Sequence, residues 1–534
     1  MSADIRQARR SAGQPHLRRF HQARWDEPVI YELSTPGARG ILIPEPEDDV
    51  AAAAGDVLAT IPEPLRRRRA PRLPEMSQVH VLRHYLHLSQ ETLGADLNID
   101  VGQGTCTMKH NPKVNDQLAR RPEMAELHPL QDESTVQGIL EIYYRLERIL
   151  KEISGLDRFT FQPGAGSQAI YTNAAIIRAY HASRGEAGRR DEIITTIFSH
   201  PSDAACPKVA GFKIITLYPD EAGYPPIEAL RAALSERTAG LMITNPEDTG
   251  IFNPHIAEFV RRVHEAGGLC AYDQANANGI LGITRAAEAG FDLCHFNLHK
   301  TFGTPHGCGG PAVGATGVTE PLARFLPVPQ VEFDGQRYRL NGDLPDSIGK
   351  VRQFLGVAPA VLKAYAWIMS LGADGLREAA EVAVLNNNYL LQKVLDIPGA
   401  SAPYAEGRRR IEQVRYSWEA LCEETGVTTD DIGLRAIDFG VHYWTSHHPF
   451  IVPEPMTLEP TESYSQADLD EYAAILRQVA EEARRQPDLV KTAPHNGPVH
   501  RVVDPRYFED PKMWAITWRA YLRKHGGEGD ACTA

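Results

Sequence analysis

The chain has 534 residues and a formal net charge of -13 at pH 7, with 43% hydrophobic and 23% charged residues. This composition fits a globular protein of two or three domains. The acidic balance argues against general binding to nucleic acids or anionic membranes. No apolar run approaches the roughly 20 residues that span a bilayer, and residues 1–24 lack a signal-peptide core. The seven cysteines include no Cys-x-x-Cys, which predicts neither disulfides nor a metal site and favours a reducing cytoplasm.

The order of segments predicts an arm, two domains and a tail. Residues 1–80 are rich in proline, arginine and acidic residues, which predicts an extended arm that wraps a partner. Residues 81–350 alternate short apolar runs with amphipathic helices, which predicts a large α/β domain with a mostly parallel sheet. Residues 351–500 are strongly helical with short strands and predict a smaller α+β domain. Residues 501–534 predict a loosely held tail.

Short apolar runs at residues 193–197, 213–217, 240–244 and 269–272 predict four strands of the sheet. A helical pattern at 256–266 lies between two of these runs. A further apolar stretch, with Phe291, Leu293 and Phe296, predicts a buried strand that leads into a loop. Downstream, the pattern predicts helices at 361–372, 375–395 and 465–486.

The loop after this last strand contains Lys300, within Asn297-Leu298-His299-Lys300-Thr301. Burial at the end of a strand disfavours the charged form of a lysine. A neutral amine can form a Schiff base with a carbonyl cofactor, and pyridoxal phosphate (PLP) is the obvious one. The alternative reading is a solvated loop lysine.

Ligands of open α/β sheets bind at the carboxyl ends of the strands, where Asp273 follows the run 269–272. A carboxylate at this place can pair with the pyridine nitrogen of PLP, although an aspartate that caps a helix is an equal alternative. Ala275 is small enough to lie against the cofactor ring. The interval from Asp273 to Lys300 suits one further helix and strand.

Two more strand ends complete the pattern. Residues 159–168 predict a strand, a glycine turn and a helix, whose backbone N–H groups and dipole suit a phosphate. His200 precedes Pro201 and could stack on the cofactor ring and transfer protons, or it could be an ordinary loop histidine. A phosphate turn, a histidine, an aspartate and a lysine in this order are typical of a fold-type I PLP enzyme.

Longer strings of residues resemble those of one known family. They include 27–34 (EPVIYELS), 83–90 (RHYLHLSQ), 104–109 (GTCTMK), 125–131 (AELHPLQ) and 297–305 (NLHKTFGTP). With these strings the chain resembles glycine decarboxylase, the P-protein of the glycine cleavage system, from about residue 27 to about residue 499. In length and start it is similar to the second subunit of the two-subunit bacterial form.

The resemblance implies an aspartate-aminotransferase-like fold in which Lys300 holds PLP, His200 stacks on it and Asp273 pairs with its nitrogen. It implies that the cofactor site also includes Ala165, Gly166, Ser167, Thr244, Ala275 and Asn297. The family reaction is decarboxylation of glycine on PLP, followed by transfer of the aminomethyl group to the lipoyl arm of a carrier protein, the H-protein. A first decarboxylase subunit is a further implied partner, in a homodimer or a hetero-oligomer.

The chain departs from the family pattern near this site. The family's Gly-Glu-Tyr is Ala169-Ile170-Tyr171 here, and its Gly-Thr-Asn-Pro is Pro201-Ser202-Asp203-Ala204. Neutral family residues after Pro246 become Glu247-Asp248, Gln274 replaces a glycine, Cys308 interrupts a glycine run, and 442–449 replaces a proline- and aromatic-rich stretch. We predict that the substrate pocket is lined by Ile170, Ser202, Asp203, Glu247, His299 and His306.

Three functions remain open at this stage. The first is a glycine decarboxylase subunit that acts on a small amino acid with a lipoyl carrier. The second is a diverged PLP enzyme for another amino acid, in which Asp203, Glu247 and Asp248 favour a substrate with an additional amine; neutral drift explains the same changes. The third is a catalytically silent subunit, against which the presence of Lys300 and Asp273 counts.

Overall fold

A computed structural model describes residues 15, 17–18, 20–69, 71, 73–92, 101–103, 109–304, 310–442, 451–497, 499, 501 and 517–524. By its internal contacts the chain divides into two units. The first consists of Met1–Arg18 and Ala95–Ala493, and the second of Arg19–Gly94 and Pro494–Ala534. The predicted boundaries at residues 80, 350 and 500 stay a prediction. No described helix is long and apolar enough to cross a membrane.

The described strands, in chain order, are β1 (Gly102–Gln103), β2 (Arg158–Thr160), β3 (Glu192–Thr196), β4 (Lys213–Leu217), β5 (Thr238–Thr244), β6 (Leu269–Gln274), β7 (Leu293–Asn297), β8 (Gly314–Val318), β9 (Gln330–Phe333), β10 (Tyr338–Asn341), β11 (Val414–Ser417) and β12 (Pro455–Glu459). The described α-helices are α1 (Asp48–Ala54), α2 (Gln78–Gln90), α3 (Lys113–Ala119), α4 (Pro122–Ala125), α5 (Gln137–Ser154), α6 (Gly166–Ser183), α7 (Ser202–Val209), α8 (Ile227–Ala233), α9 (Ile256–Glu265), α10 (Ala358–Leu395), α11 (Glu419–Thr425), α12 (Thr429–Ile437), α13 (Gln466–Arg485), α14 (Pro487–Lys491) and α15 (Trp518–Lys524). Short 3-10 turns occur at Val57–Thr60, Glu63–Leu65, Glu133–Thr135, Ala286–Ala289 and Glu320–Phe325.

The larger sheet of the first unit has seven strands in the order β2-β8-β7-β6-β5-β3-β4. Strands β4, β3, β5, β6 and β7 are parallel, and β8 runs antiparallel to β7 and to β2. Strand β2 therefore runs in the same direction as β7. The predicted α/β fold with a mostly parallel sheet is confirmed.

Both faces of this sheet are buried, because successive side chains of a strand point to opposite faces. Ile193 and Ile194 are both fully buried, yet they belong to two different hydrophobic clusters. Helix α9 packs on β5 and β6 and belongs to one cluster, whereas α6 belongs to the other. Burial of each isoleucine side chain contributes about 1.5–3 kcal/mol to the stability of the fold. Because both faces of the sheet are buried, the strands are unbroken apolar runs.

A smaller sheet of the first unit has the antiparallel order β1-β12-β11. It packs with the second half of α10 and with α13 in a separate cluster that includes Leu390, Tyr416 and Tyr472. Helix α13 begins where Ser465 and Asp468 form a capping box. This part is the predicted smaller α+β region.

In the second unit, Glu27 holds two histidines of α2. Its carboxylate oxygens lie 2.7 Å from His84 Nδ1 and 2.7 Å from His87 Nδ1. The ring of Trp25 stacks on His87 at a centroid distance of 4.0 Å. The long arm thus has a local anchor, which its composition alone did not predict.

Several predicted elements need correction. The strand predicted at 269–272 extends through Asp273 to Gln274, and the strand before His200 ends at Thr196. The two helices predicted at 361–372 and 375–395 are present as the two halves of α10, which begins earlier, at Ala358, and is broken at Gly372 by a φ of 68°. His306, Cys308 and residues 104–108 and 443–448 lie outside the described residues.

Candidate active site

The predicted site residues meet at one edge of the seven-stranded sheet. Strands β3, β5, β6 and β7 are parallel, and β2 runs with them, so their carboxyl ends lie on the same side. Thr244 is paired with Asp273, and Asp273 with His295, in the register of the three central strands. This edge is where ligands of open α/β sheets bind.

Lys300 lies in a tight turn directly after β7. Its backbone N–H donates to the carbonyl oxygen of Asn297 at 3.0 Å, and the side chain is buried. The hydroxyl of the next residue, Thr301, accepts the N–H of Ala277 at 2.9 Å. This bond ties the lysine turn to the segment that follows β6. The amine is therefore positioned by backbone contacts from two adjacent strand ends.

Of the two carboxylate oxygens of Asp273, one accepts a hydrogen bond and the other does not. Its Oδ1 accepts the N–H of Ala275 at 2.8 Å and lies 3.3 Å from His295 Nε2. Its Oδ2 is buried and has no partner among the described residues. Burial works against the carboxylate, but the neighbouring His295 and His200, the Ala275 N–H and Lys300 together lower the pKa of Asp273. An ionised, open carboxylate oxygen suits a protonated pyridine nitrogen.

The glycine turn before α6 is closely covered by two side chains. A Cβ atom on Gly166 would lie 2.7 Å from Asn297 Nδ2, and a Cβ atom on Gly164 would overlap the guanidinium group of Arg352. A larger residue at either place would displace the side chain that covers it. The N-terminus of the 18-residue helix α6 and the Arg352 cation therefore face the same turn, an arrangement that suits a phosphate group. Arg352 was not predicted from the sequence.

Ser167 and Ser202 link the start of α6 to the start of α7, because their hydroxyl oxygens are 2.7 Å apart. The Ser202 N–H donates to His200 Nδ1 at 3.1 Å, and the His200 N–H donates to Thr244 Oγ1 at 3.4 Å. Thr244 Oγ1 in turn donates to Asp203 Oδ2 at 3.4 Å. The histidine is thus held by hydrogen bonds at the end of β5.

Glu247 is buried beside this group and is held by Thr196, whose hydroxyl donates to Glu247 Oε1. Its Oε2 has no partner among the described residues. Burial, with a smaller contribution from the charge of Asp248, raises the pKa of Glu247 to about 8, despite the hydrogen bond from Thr196. The Glu247 carboxyl is therefore largely protonated at neutral pH.

The other predicted pocket residues have different surroundings. Ile170 is buried on α6 and belongs to the hydrophobic cluster that includes Ile193. His299 is buried, and its Nδ1 lies 3.1 Å from the carbonyl oxygen of Val313. His306 cannot be placed, because it lies outside the described residues.

Residues from the smaller sheet were missed by the sequence reasoning. Glu459 Oε1 accepts the side-chain amides of Asn276 at 2.6 Å and Asn278 at 2.7 Å, just after β6. Arg415 is buried and donates to Asp248 Oδ2 at 2.9 Å. The acidic group at Asp248 is therefore already paired with a cation from the chain itself.

His295 was also missed, although a sequence signal existed. It is a single histidine within the apolar run 291–296, in the strand that precedes Lys300. Strand pairing places it next to Asp273. A polar residue that interrupts a buried strand near a candidate cofactor lysine is the signal that would have found it.

The residues present fit PLP. Asp273 offers an open buried oxygen, Lys300 offers an amine, and the glycine turn at the start of α6 is faced by the Arg352 guanidinium. A seven-stranded sheet with one antiparallel strand beside the lysine strand, carrying this site at its carboxyl edge, defines the chain as a fold-type I PLP-dependent enzyme.

Comparisons with known proteins agree. Residues 163–313 match the family model "Aminotransferase class-V", and residues 379–497 match "Glycine dehydrogenase, C-terminal domain". The chain is 47% identical to the probable glycine dehydrogenase (decarboxylating) subunit 2 of Pyrococcus abyssi, over 96% of this chain and 100% of that protein. For the protein of the same description from Staphylothermus marinus the identity is 39%, over 95% and 98%. The chain belongs to the family of glycine dehydrogenase (decarboxylating) subunit 2 proteins.

A solved structure shares the fold. The crystal structure of glycine decarboxylase (P-protein) of the glycine cleavage system, in inhibitor-bound form, matches with a TM-score of 0.67. The match covers 82% of this chain and 100% of that chain at 20% sequence identity. This likeness supports the predicted aspartate-aminotransferase-like architecture.

Proposed function

We propose that the chain decarboxylates glycine as subunit 2 of a glycine dehydrogenase and passes the aminomethyl group to the lipoyl arm of a carrier protein. The observation that carries the proposal is the meeting of Lys300, Asp273 and the start of α6 at one sheet edge. Relatives that are 39–47% identical over nearly their whole length carry the name of this activity.

In this proposal each residue has a defined task. Lys300 would bind PLP through its amine, Asp273 Oδ2 would hold the proton on the pyridine nitrogen, and His200 would lie by the ring. PLP, when bound, supplies an electron sink for the electron pair that remains when the carboxylate leaves as carbon dioxide. The buried surroundings of Lys300 would disfavour a charged carboxylate and thereby its ground state.

The phosphate would bind at the start of α6. The N–H groups of Gly166 and Ser167 and the Arg352 guanidinium are the candidate donors, with Ala165 at the helix cap. Asn297 and Thr244 complete the proposed cofactor site. The proposed partners are a first subunit, the lipoyl carrier (H-protein) and further copies in a homodimer or hetero-oligomer. We propose a cytoplasmic location, because the cysteines in the described part of the chain are free thiols.

Absorbance spectroscopy of the purified protein tests cofactor binding. The wild type with added PLP is expected to show the visible absorbance of lysine-bound PLP, which Lys300→Ala abolishes. Lys109→Ala is the matched control, since Lys109 is also buried but bonds Glu462 at 2.9 Å. A wild type that takes up no PLP would support the silent-subunit alternative.

Isotope exchange then tests the substrate. With a first subunit and a lipoyl carrier, the protein is expected to exchange labelled bicarbonate into the carboxyl group of glycine. No exchange, together with a spectral change on addition of a different amino acid, would overturn the glycine proposal.

Such an outcome would favour the second candidate, a diverged enzyme for another amino acid. Glu247 supports this candidate, because its buried Oε2 has no described partner and could receive a substrate amine. A screen of amino acids with a second amine, with Glu247→Gln as comparison, separates the two functions.

A further inference from the structure

Asp203 lies in contact with Asp273, the carboxylate proposed for the pyridine nitrogen. Both side chains are buried, Asp203 in the first turn of α7 and Asp273 in β6. Thr244 links the two residues, because its hydroxyl donates to Asp203 Oδ2 and its backbone is paired with Asp273 in the register of β5 and β6. The two carboxyl groups also interact directly. Asp203 Oδ1 and Asp273 Oδ2 have no hydrogen-bond partner among the described residues. Two buried carboxyl groups in contact do not both keep a full negative charge, so one of them holds a proton.

The surroundings of Asp273 favour its charged form. Its Oδ1 accepts the Ala275 N–H at 2.8 Å and faces His295 Nε2 at 3.3 Å. His200 and Lys300 add positive potential from two other strand ends. Groups from three elements therefore stabilise a carboxylate at Asp273.

The surroundings of Asp203 favour its neutral form. Its Oδ2 receives a single long hydrogen bond, 3.4 Å from Thr244 Oγ1. Glu247, from the segment after β5, is a further acidic neighbour, and Cys206 is the titratable neighbour on α7. Burial first, and then Asp273, raises the pKa of Asp203. The proton of the pair therefore belongs on Asp203.

We propose that Asp203 is a positioning residue for Asp273: it keeps its proton at neutral pH, donates it to Asp273 and fixes that carboxylate for the pyridine nitrogen. The pair then carries one negative charge, which matches the one positive charge of a protonated pyridine ring. The family has a neutral amide at this position. Protonated Asp203 keeps a hydrogen-bond donor there and adds a group that titrates. The role in cofactor binding rests on the proposed function; the site of the proton does not.

Infrared spectroscopy of the full-length protein without PLP locates the proton. At pH 7 the wild-type minus Asp203→Asn difference spectrum is expected to contain the C=O band of a protonated carboxyl group, shifted in D2O. Asp292→Asn, the same change at the opposite edge of the sheet, is the matched control and should leave this band in place. A difference spectrum with no protonated-carboxyl band would overturn the proposal.

Cofactor binding at different pH tests the positioning role. Asp203→Asn, which is nearly isosteric and keeps a donor, is expected to bind PLP within about threefold of wild type at pH 7, whereas Asp203→Ala loses roughly tenfold in affinity. As pH rises, the absorbance of bound PLP should change in the wild type when Asp203 ionises, and this change should be missing in Asp203→Asn.

Two results would contradict the positioning role: an equal loss of PLP affinity in Asp203→Asn and Asp203→Ala, or the same alkaline transition in wild type and Asp203→Asn. If the wild type takes up no PLP, the proposed function fails. The infrared experiment, which needs no PLP, still decides whether the buried pair holds a proton, so the two failures are distinguishable.

Discussion

Asp273 Oδ1 lies 3.3 Å from His295 Nε2, and the two residues are direct neighbours in the register of β6 and β7. His295 is completely buried, and burial lowers its pKa, so the neutral ring is its expected form. Its Nε2 edge faces Asp273 Oδ1 as a close polar contact, which favours the charged form of the carboxylate. The strand pairing itself therefore positions the acid that is proposed to control the cofactor.

Replacing His295 tests this relationship. His295→Phe removes the polar edge but keeps a ring, and we expect roughly tenfold weaker PLP binding because a contact that favours the charged form of Asp273 is lost. PLP affinity is measured by absorbance titration. The control is His264→Phe, since His264 forms a similar pair with Asp292 at 2.7 Å, at the other edge of the sheet. Equal effects of the two substitutions would count against a specific role of His295.

Gly166→Ala is expected to weaken PLP binding by an order of magnitude or more. Its Cβ atom would lie 2.7 Å from Asn297 Nδ2, so Asn297 must move, and the Lys300 turn bonds to the Asn297 carbonyl. The readouts are PLP affinity and melting temperature. Gly138→Ala, also in the first turn of a helix but with open space around its Cβ position, is the matched control and should be neutral or stabilising by up to ~1 kcal/mol. Unchanged PLP affinity in Gly166→Ala would contradict the close packing at this turn.

Glu247→Gln is expected to stabilise the protein in a pH-dependent way. The pKa of Glu247 is raised to about 8 in the folded state, so the folded state binds a proton more tightly than the unfolded state does. Wild-type stability is therefore lost as pH rises from the ordinary glutamate range to about 8 and is constant above it. The variant lacks this loss, and its advantage should grow over the same range to a few kcal/mol.

Denaturant unfolding at several pH values measures this difference. Glu288→Gln provides the control, because Glu288 is largely exposed on the surface and should show only a small, nearly pH-independent change. Parallel stability curves for wild type and Glu247→Gln would show that Glu247 is charged in the folded protein.

The buried pair Asp248–Arg415 is expected to be strongly coupled. Arg415→Met leaves the Asp248 carboxylate buried without its cation, which should cost about 3–5 kcal/mol of unfolding free energy. Asp248→Asn combined with Arg415→Met should recover part of this loss. A double-mutant cycle in denaturant measures the coupling energy. Additive losses would mean that the pair makes no net interaction and that Asp248 is available to a substrate.

The sequence predicted the central strands well because their signal is local. Runs such as the one that became β5 contain consecutive apolar residues, and burial on both sides of a sheet requires this pattern. The ends were less accurate: β6 extends past Asp273, since a polar residue in a strand looks like the beginning of a loop. The break in α10 at Gly372, by contrast, falls at the predicted end of the first of two helices.

The same division holds for the site. Lys300, Asp273 and His200 were candidates because each follows a predicted strand, and parallel strands bring their carboxyl ends to one edge. Arg352, Arg415 and Glu459 were missed because they lie outside these segments and reach the site from distant parts of the chain. Their roles depend on packing between elements that local patterns do not describe.

By itself the sequence determined the class of fold and the residues typical of a PLP enzyme. It also determined the order in which polar residues follow the predicted strands. These features depend on local hydrophobic patterns and short motifs. Only the tertiary structure decided which charged groups meet: Asp203 with Asp273, Asp248 with Arg415, and Glu247 with Thr196. The physical reason is that a buried charge depends on the neighbours within a few ångströms, and here those neighbours come from residues 50 to more than 160 positions away in the chain.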